Sequence, residues 1–342
     1  MVAKTRSTST KKTITSTSLE VDDKKVVKKV TKVTKKKTST KSSAPESPSK
    51  KKKEKVIIED YLATKIPIPI DLKLPEKFVE YHTPEFVTGV NYIIKQDNAL
   101  YPVIVHSNFP RFAKDNIIHS GEPHGYWYAL IASVISQQIS GSAAKSIENK
   151  FKNLFEELGE DLIPVNVLTK SDEQLRKVGF SFQKIKYVRH ISETFNNPDE
   201  NLCNAKFYKE QPLDVVIEEL VKLKGIGFWS AKMFAIFTLG EMDIFAHDDL
   251  GVARGMSKYL ARRPDLYSSI KKEVDADEDL KDLLKKKSLF ANKKTDSKRD
   301  WNPYHDVYVK HAAERFSPYR SVLMLVMWRL SATNVEVLEW NL

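Results

Sequence analysis

Residues 223–255 read LKGIGFWSAKMFAIFTLGEMDIFAHDDLGVARG, and the reading of this stretch decides the fold. Before it, Leu213, Val216, Ile217, Leu220 and Leu223 recur at helical spacing over Pro212 to Leu223. Gly225 and Gly227 interrupt the run, and apolar residues resume from Phe228 to about Leu239. The pattern predicts a helical hairpin. Two glycines two residues apart allow positive φ and let the backbone approach another molecule with no Cβ in the way. At the start of the second helix, the amides of Gly225, Gly227 and their neighbours lack intrahelical acceptors and can point at a phosphate oxygen. Such a turn also serves as plain helix-end chemistry. The residues beyond the hairpin therefore matter: the acidic pair Asp248 and Asp249 stands about twenty residues later, opening a helix that holds Leu250 to Met256.

Outward from the hairpin the chain reads as helices. Trp127, Leu130, Ile131, Val134 and Ile135 give Tyr126 to about Gln138 one buried face, and Gln137 and Gln138 project from its end just before Ser140 and Gly141. Ser171 and Gln174 fit a capping box for a short helix closed by Gly179. Phe180 and Ser181 then occupy a helix-to-helix turn, with Ser181 able to cap the run Ile185, Val188 and Ile191. Thr83 and Pro84 suit an N-cap and first helical residue. Toward the end, Val307 to Phe316 and the nearly all-apolar Ser321 to Leu330 read as helices, the second necessarily buried. Residues 261–303, rich in lysine and acid, read as an exposed insertion able to hold a short helix but no core.

The formal net charge of +11 is not a property of this helical part. Residues 1–55 carry 18 Lys or Arg against 5 Asp or Glu, whereas residues 56–342 carry 38 against 40. The first segment, built from Lys, Ser and Thr without an aromatic residue, cannot bury enough apolar surface to offset the entropy of ordering, so a disordered tail is expected before a globular part at 56–342. Its basic runs suit nuclear import and nonspecific attraction to DNA; a mitochondrial presequence fits less well, since Lys dominates over Arg and no clear apolar face appears. One cysteine, Cys203, excludes an internal disulfide and a four-cysteine iron-sulfur cluster. No apolar run reaches the length of a membrane span.

The segment L-x-G-x-G followed by Asp249 resembles the helix-hairpin-helix superfamily of DNA glycosylases, and ISQQISGSAAKSI at 135–147, LRKVGFSFQKIKY at 175–187 and FSPYRSVLMLVMWRL at 316–330 resemble the fungal 3-methyladenine type. The resemblance implies an all-α, two-lobed helix-hairpin-helix glycosylase fold, with the hairpin and catalytic acid at 213–255. It implies an enzyme that flips alkylated purines of the 3-methyladenine and 7-methylguanine type out of duplex DNA and hydrolyses the N-glycosidic bond. Asp249 is then the catalytic carboxylate, Asp248 the helix cap, and Leu223, Gly225 and Gly227 the contact to the DNA backbone. Gln137 and Gln138 form the minor-groove plug, and Phe180, Ser181, Trp229 and Trp328 the base pocket. Bifunctional relatives carry a nucleophilic lysine where Trp229 stands, so monofunctional chemistry is expected. No cofactor or metal is expected beyond a monovalent or divalent cation at the hairpin-phosphate contact. The expected partner is double-stranded DNA containing alkylated bases, met by a nuclear monomer upstream of abasic-site repair factors. Two alternatives stand beside this reading: a noncatalytic hairpin module that clamps DNA, and a glycosylase for deaminated or oxidised purines.

Overall fold

The computed structural model describes residues 57–115, 122–290 and 301–332; the basic tail at 1–55 lies outside them, as do residues 291–300 of the polar insertion. Among the described residues the chain forms seventeen α-helices, and its one β-type pairing is an isolated bridge between His82 and Ala113. The expected all-helical, two-lobed architecture is present. The middle of the chain, from Tyr126 to Phe234, builds one core around Trp127, Phe151, Phe155 and Leu220. Both flanking parts build the other, in which Phe86, Ile93 and Ile104 meet Met256, Ile270 and Met324. The second hairpin helix, Phe228–Phe234, lies on the seam: Met233 belongs to the outer core and Phe234 to the middle one.

Local signals placed the helix ends well. Thr83 accepts a hydrogen bond from Phe86 N at the start of Pro84–Gln96. Ser171 and Gln174 form the capping box of Asp172–Val178, and Gly179 closes that helix with φ of +115°. The second hairpin helix departs from expectation at its end. It is α-helical only to Phe234, and Ala235–Leu239 continues as a π turn that stops at Gly240.

The polar insertion is a correction. Its first half forms Pro264–Ala276 and Glu278–Leu284, and Ile270 and Val274 are fully buried in the outer core. Leu266, Ile270 and Val274 recur every four residues, which lays them along one helix face despite the charged residues between them. Tyr267 packs edge-on against Tyr304 and Tyr308, which fastens this helix to the chain beyond the insertion. The segment is thus part of the fold.

Two polar ties hold the N-terminal helices to helices Leu250–Ala261 and Arg320–Ser331. Arg263, at the end of helix Leu250–Ala261, pairs with Glu59 at 2.7 Å and with Asp97, and its guanidinium lies 3.9 Å over the Tyr259 ring. Two carboxylates and a ring compensate the cost of burying that charge. Arg329, from helix Arg320–Ser331, donates to the carbonyls of Val103, Ile104, Ser107 and Asn108 and so satisfies the end of helix Tyr101–Val105.

His82 ties segments of the N-terminal part to one another. Its Nδ1 donates to Phe78 O at 2.7 Å and its Nε2 accepts from Phe109 N at 2.9 Å, an arrangement that only the neutral ring can make. Burial lowers its pKa below the ordinary histidine value; the Phe78 bond opposes this and the Arg329 charge adds to it. The unfolded chain therefore takes up a proton first as pH falls, and stability from this site, complete above about pH 6.5, erodes below it. Urea midpoints measured from pH 7.5 to 5 are expected to fall with pH in the parent and to fall less in His82→Gln. Parallel profiles would show that His82 does not carry the dependence.

Candidate active site

Helix Leu250–Ala261 begins one residue after Asp249, and this fixes which aspartate caps it. Asp249 has extended backbone angles, and its Oδ1 accepts from Val252 N at 2.8 Å. Asp248, assigned the cap from sequence, instead pairs with Lys232 at 2.9 Å. Burial works to raise the Asp248 carboxyl, but the Lys232 hydrogen bond and charge outweigh it and leave the group below the usual aspartate range. Both acids could cap on local grounds. The register of the helix and a lysine from another element decided between them.

Asp249 does more than cap. Its Oδ2 accepts from Trp229 Nε1 at 2.9 Å and its Oδ1 from Trp328 Nε1 at 2.8 Å. Trp229 and Lys232 stand three residues apart on the second hairpin helix, so one face of that helix addresses both acids. Trp328 arrives from helix Arg320–Ser331, about eighty residues later in the chain. Phe237, in the π turn, stacks on it with ring centroids 6.2 Å apart and 19° between planes. A carboxylate accepting three N–H groups at a helix N-terminus is held in a defined orientation. Trp229 remains 44% exposed, so the carboxylate lies beside an aromatic wall that a planar ligand can reach.

The hairpin turn is held from beneath by helix Phe182–Phe195. Gly225 has φ of +90°, and a Cβ there would lie 2.4 Å from the Tyr187 ring. His190 Nδ1 accepts from Lys224 N at 3.3 Å. Gly227 departs from the expected positive φ: at −98° it is the N-cap of Phe228–Phe234, with no side-chain cap and open space where a Cβ would be. The first amides of that helix are therefore available to an anion. Leu223 is buried in the middle core, so its side chain anchors the turn and is not itself a DNA contact.

The two glutamines prove different. Gln138 is exposed with φ of +60°, an uncommon conformation for a residue with a side chain. Strain of this kind is tolerated where geometry matters. Gln137 is half-buried and donates from Nε2 to Gly225 O at 2.8 Å, which makes it a strut between this turn and the hairpin instead of part of a plug. Lys184 braces the same helix end, donating to Ile135 O at 2.6 Å.

The pocket assignment needs a further correction. Phe180 is 1% exposed and packs on Phe151 with centroids 5.1 Å apart. It belongs to the middle core. Gly179 turns the chain against Ile147 and carries Phe180 inward, while Ser181 accepts from Lys184 N as the cap of Phe182–Phe195. The exposed aromatic of this turn is Phe182, with the Arg176 guanidinium 4.6 Å over its ring. Of the four pocket residues expected, the structure brings Trp229 and Trp328 to Asp249 and leaves Phe180 and Ser181 in structural roles. Phe237 escaped the sequence reading because an apolar run gives no sign of which member stacks on Trp328.

A family model described as HhH-GPD superfamily base excision DNA repair protein matches residues 131–322. The chain is 32% identical over 276 residues to the DNA-3-methyladenine glycosylase of Saccharomyces cerevisiae, across 79% of this chain and 88% of that one. It is 35% identical over 136 residues to DNA-3-methyladenine glycosylase 1 of Schizosaccharomyces pombe, across 40% of this chain and 58% of that one. Among solved structures, a 3-methyladenine DNA glycosylase of Schizosaccharomyces pombe in complex with abasic DNA aligns over 59% of this chain and 79% of its own, at 25% identity and a TM-score of 0.43. A DNA-3-methyladenine glycosidase of Bacillus halodurans aligns over 74% and 92%, at 25% identity and a TM-score of 0.48.

Proposed function

The chain belongs to the HhH-GPD superfamily of base excision DNA repair proteins, and from that premise we propose that it is a DNA-3-methyladenine glycosylase that hydrolyses the N-glycosidic bond of alkylated purines and leaves an abasic site. The observation that carries the reading is Asp249, a carboxylate held by three N–H donors beside an accessible indole and next to a hairpin with open amides. An alkylated purine carries positive charge and departs as a neutral base, so the leaving group needs little acid help. Positive charge develops on the sugar, and a fixed carboxylate stabilises it and orients the attacking water.

A base inside a duplex is out of reach, and flipping it costs a few kcal/mol. Gln138, projecting from its strained turn, fills the gap; the hairpin amides hold the backbone; and the indole walls take the electron-poor base by stacking. Attraction to the duplex comes from exposed lysines such as Lys145 and Lys186, whereas Lys184 and Lys232 are engaged within the protein.

The chemistry is monofunctional. Trp229 stands where a Schiff-base lysine would be, and an indole is no such nucleophile. The lysine nearest in that helix, Lys232, is paired with Asp248. Release of 3-methyladenine and 7-methylguanine from alkylated duplex DNA, followed by chromatography, is the direct test, run beside deaminated and oxidised DNA. Borohydride is expected to trap no enzyme-DNA adduct. A trapped adduct would overturn the monofunctional assignment, and release confined to deaminated or oxidised bases would overturn the substrate. The enzyme acts as a monomer whose Lys-rich tail directs it to the nucleus, and its abasic product passes to downstream repair factors.

A further inference from the structure

The bonds to Asp249 are unequal. Oδ1 accepts from Val252 N and from Trp328 Nε1, each at 2.8 Å, while Oδ2 accepts only the Trp229 indole, at 2.9 Å, among the described residues. A carboxylate oxygen offers about two acceptor sites, so Oδ1 is filled and Oδ2 keeps one open. The two indoles also differ in how firmly they are held. Trp328 sits on a helix of buried residues, stacks on Phe237, and lies so close to Gly251 that a Cβ there would be 2.8 Å from its Cδ1 and 3.1 Å from Asp249 Oδ1. Displacing it means repacking the outer core. Trp229 is 44% exposed at the second position of its helix, so far less packing holds it in place.

We infer that the two oxygens of Asp249 divide the work, Oδ1 anchoring the side chain and Oδ2 reacting, with Trp328 the positioning residue that enforces the division and Trp229 a single donor that leaves one acceptor site on Oδ2 for the attacking water. The inference rests on the glycosylase reading above and assigns atoms within it. In the step, the C1′–N bond breaks and its electron pair goes to the departing base, neutralising it. The water oxygen bonds to C1′, and its proton passes to Oδ2. Oδ1, already accepting twice, has no site for that proton or for the water. Anchoring by Oδ1 also explains how one residue can cap a helix and catalyse: the cap uses one oxygen and the chemistry uses the other.

The arrangement predicts a split between the two indoles. Trp328→Phe keeps an aromatic ring, though a smaller one, and removes the N–H, a bond to a carboxylate whose loss corresponds to about tenfold or more in rate. Single-turnover release from alkylated duplex DNA is expected to show that loss in kcat, with KM within about twofold of the parent. Trp229→Phe shrinks the wall without disturbing the anchor, and its effect is expected in KM. Gly251→Ala, whose Cβ would press on Trp328 Cδ1 and on Asp249 Oδ1 and so part the two while keeping the indole N–H, is expected to copy the Trp328→Phe defect and to add nothing to it in the double variant. It also serves if Trp328→Phe folds poorly. A kcat loss larger in Trp229→Phe than in Trp328→Phe would overturn the division, as would a Trp328→Phe protein that is merely less stable and retains parental kcat at low temperature. Asp249→Asn separates the two levels. If it stays active, the glycosylase mechanism itself fails; if it is inactive while Trp328→Phe has parental kcat, only the assignment of the oxygens fails.

Discussion

Asp249→Asn is expected to lower the single-turnover release of 3-methyladenine about a thousandfold while leaving the fold and the affinity for abasic duplex DNA in place. The magnitude follows from the charge alone. Opposite unit charges at about 4 Å and an effective dielectric near 20 attract by roughly 4 kcal/mol, and each 1.36 kcal/mol is about tenfold in rate. The substitution is structurally mild because asparagine caps helices as well as aspartate does, so the Val252 amide keeps its acceptor. It is not silent at the other atom. An amide nitrogen in place of Oδ2 would present N–H groups to the N–H of Trp229, two donors facing each other. Asp249→Ala would add the loss of the cap, about 1 kcal/mol of stability. Release from Asp249→Asn within a few-fold of the parent would remove Asp249 from the chemistry.

The second large effect is expected far from DNA. Helices Leu250–Ala261 and Arg320–Ser331 touch at Gly255, where a Cβ would lie 2.0 Å from Met327 O and 2.6 Å from the carbonyl carbon. The obstacle is backbone, so no rotamer change can relieve it, and the helices must separate. Gly255→Ala is expected to cost about 3 kcal/mol or more, at or above the upper end for overpacking, read from urea unfolding. Catalysis suffers with it. Trp328 follows Met327 in one helix and Asp249 caps the other, so parting the helices lengthens the Trp328–Asp249 bond and lowers the rate even where the variant remains folded. Gly141→Ala is the control for stability, since a Cβ there meets nothing within 4 Å. Equal unfolding midpoints for Gly255→Ala and the parent would mean that the close approach is not needed.

Much of this site was legible where the signal is short-range. The hairpin glycines, the Ser171–Gln174 capping box, the Thr83 cap and the apolar helix at the end of the chain each follow from residues within one or two turns of one another. The readings that failed required knowing what lies opposite. Asp248 and Asp249 are equivalent as local caps until Lys232 takes one and two indoles take the other. Phe180 and Phe182 flank one serine, and only the packing of Phe180 on Phe151, from a neighbouring helix, shows which of them turns inward. Gln137 looked like its neighbour Gln138 until Gly225 O accepted its amide.

By itself, then, the amino-acid sequence determined the class of fold, the hairpin, the acid and the resemblance to alkylpurine glycosylases, because periodicity, capping and motif spacing are properties of contiguous residues. The tertiary structure alone decided how Asp249 is employed. Its three donors come from its own helix, from the hairpin and from a helix about eighty residues away, and that convergence depends on the packing of two cores and on the bare backbone contact at Gly255.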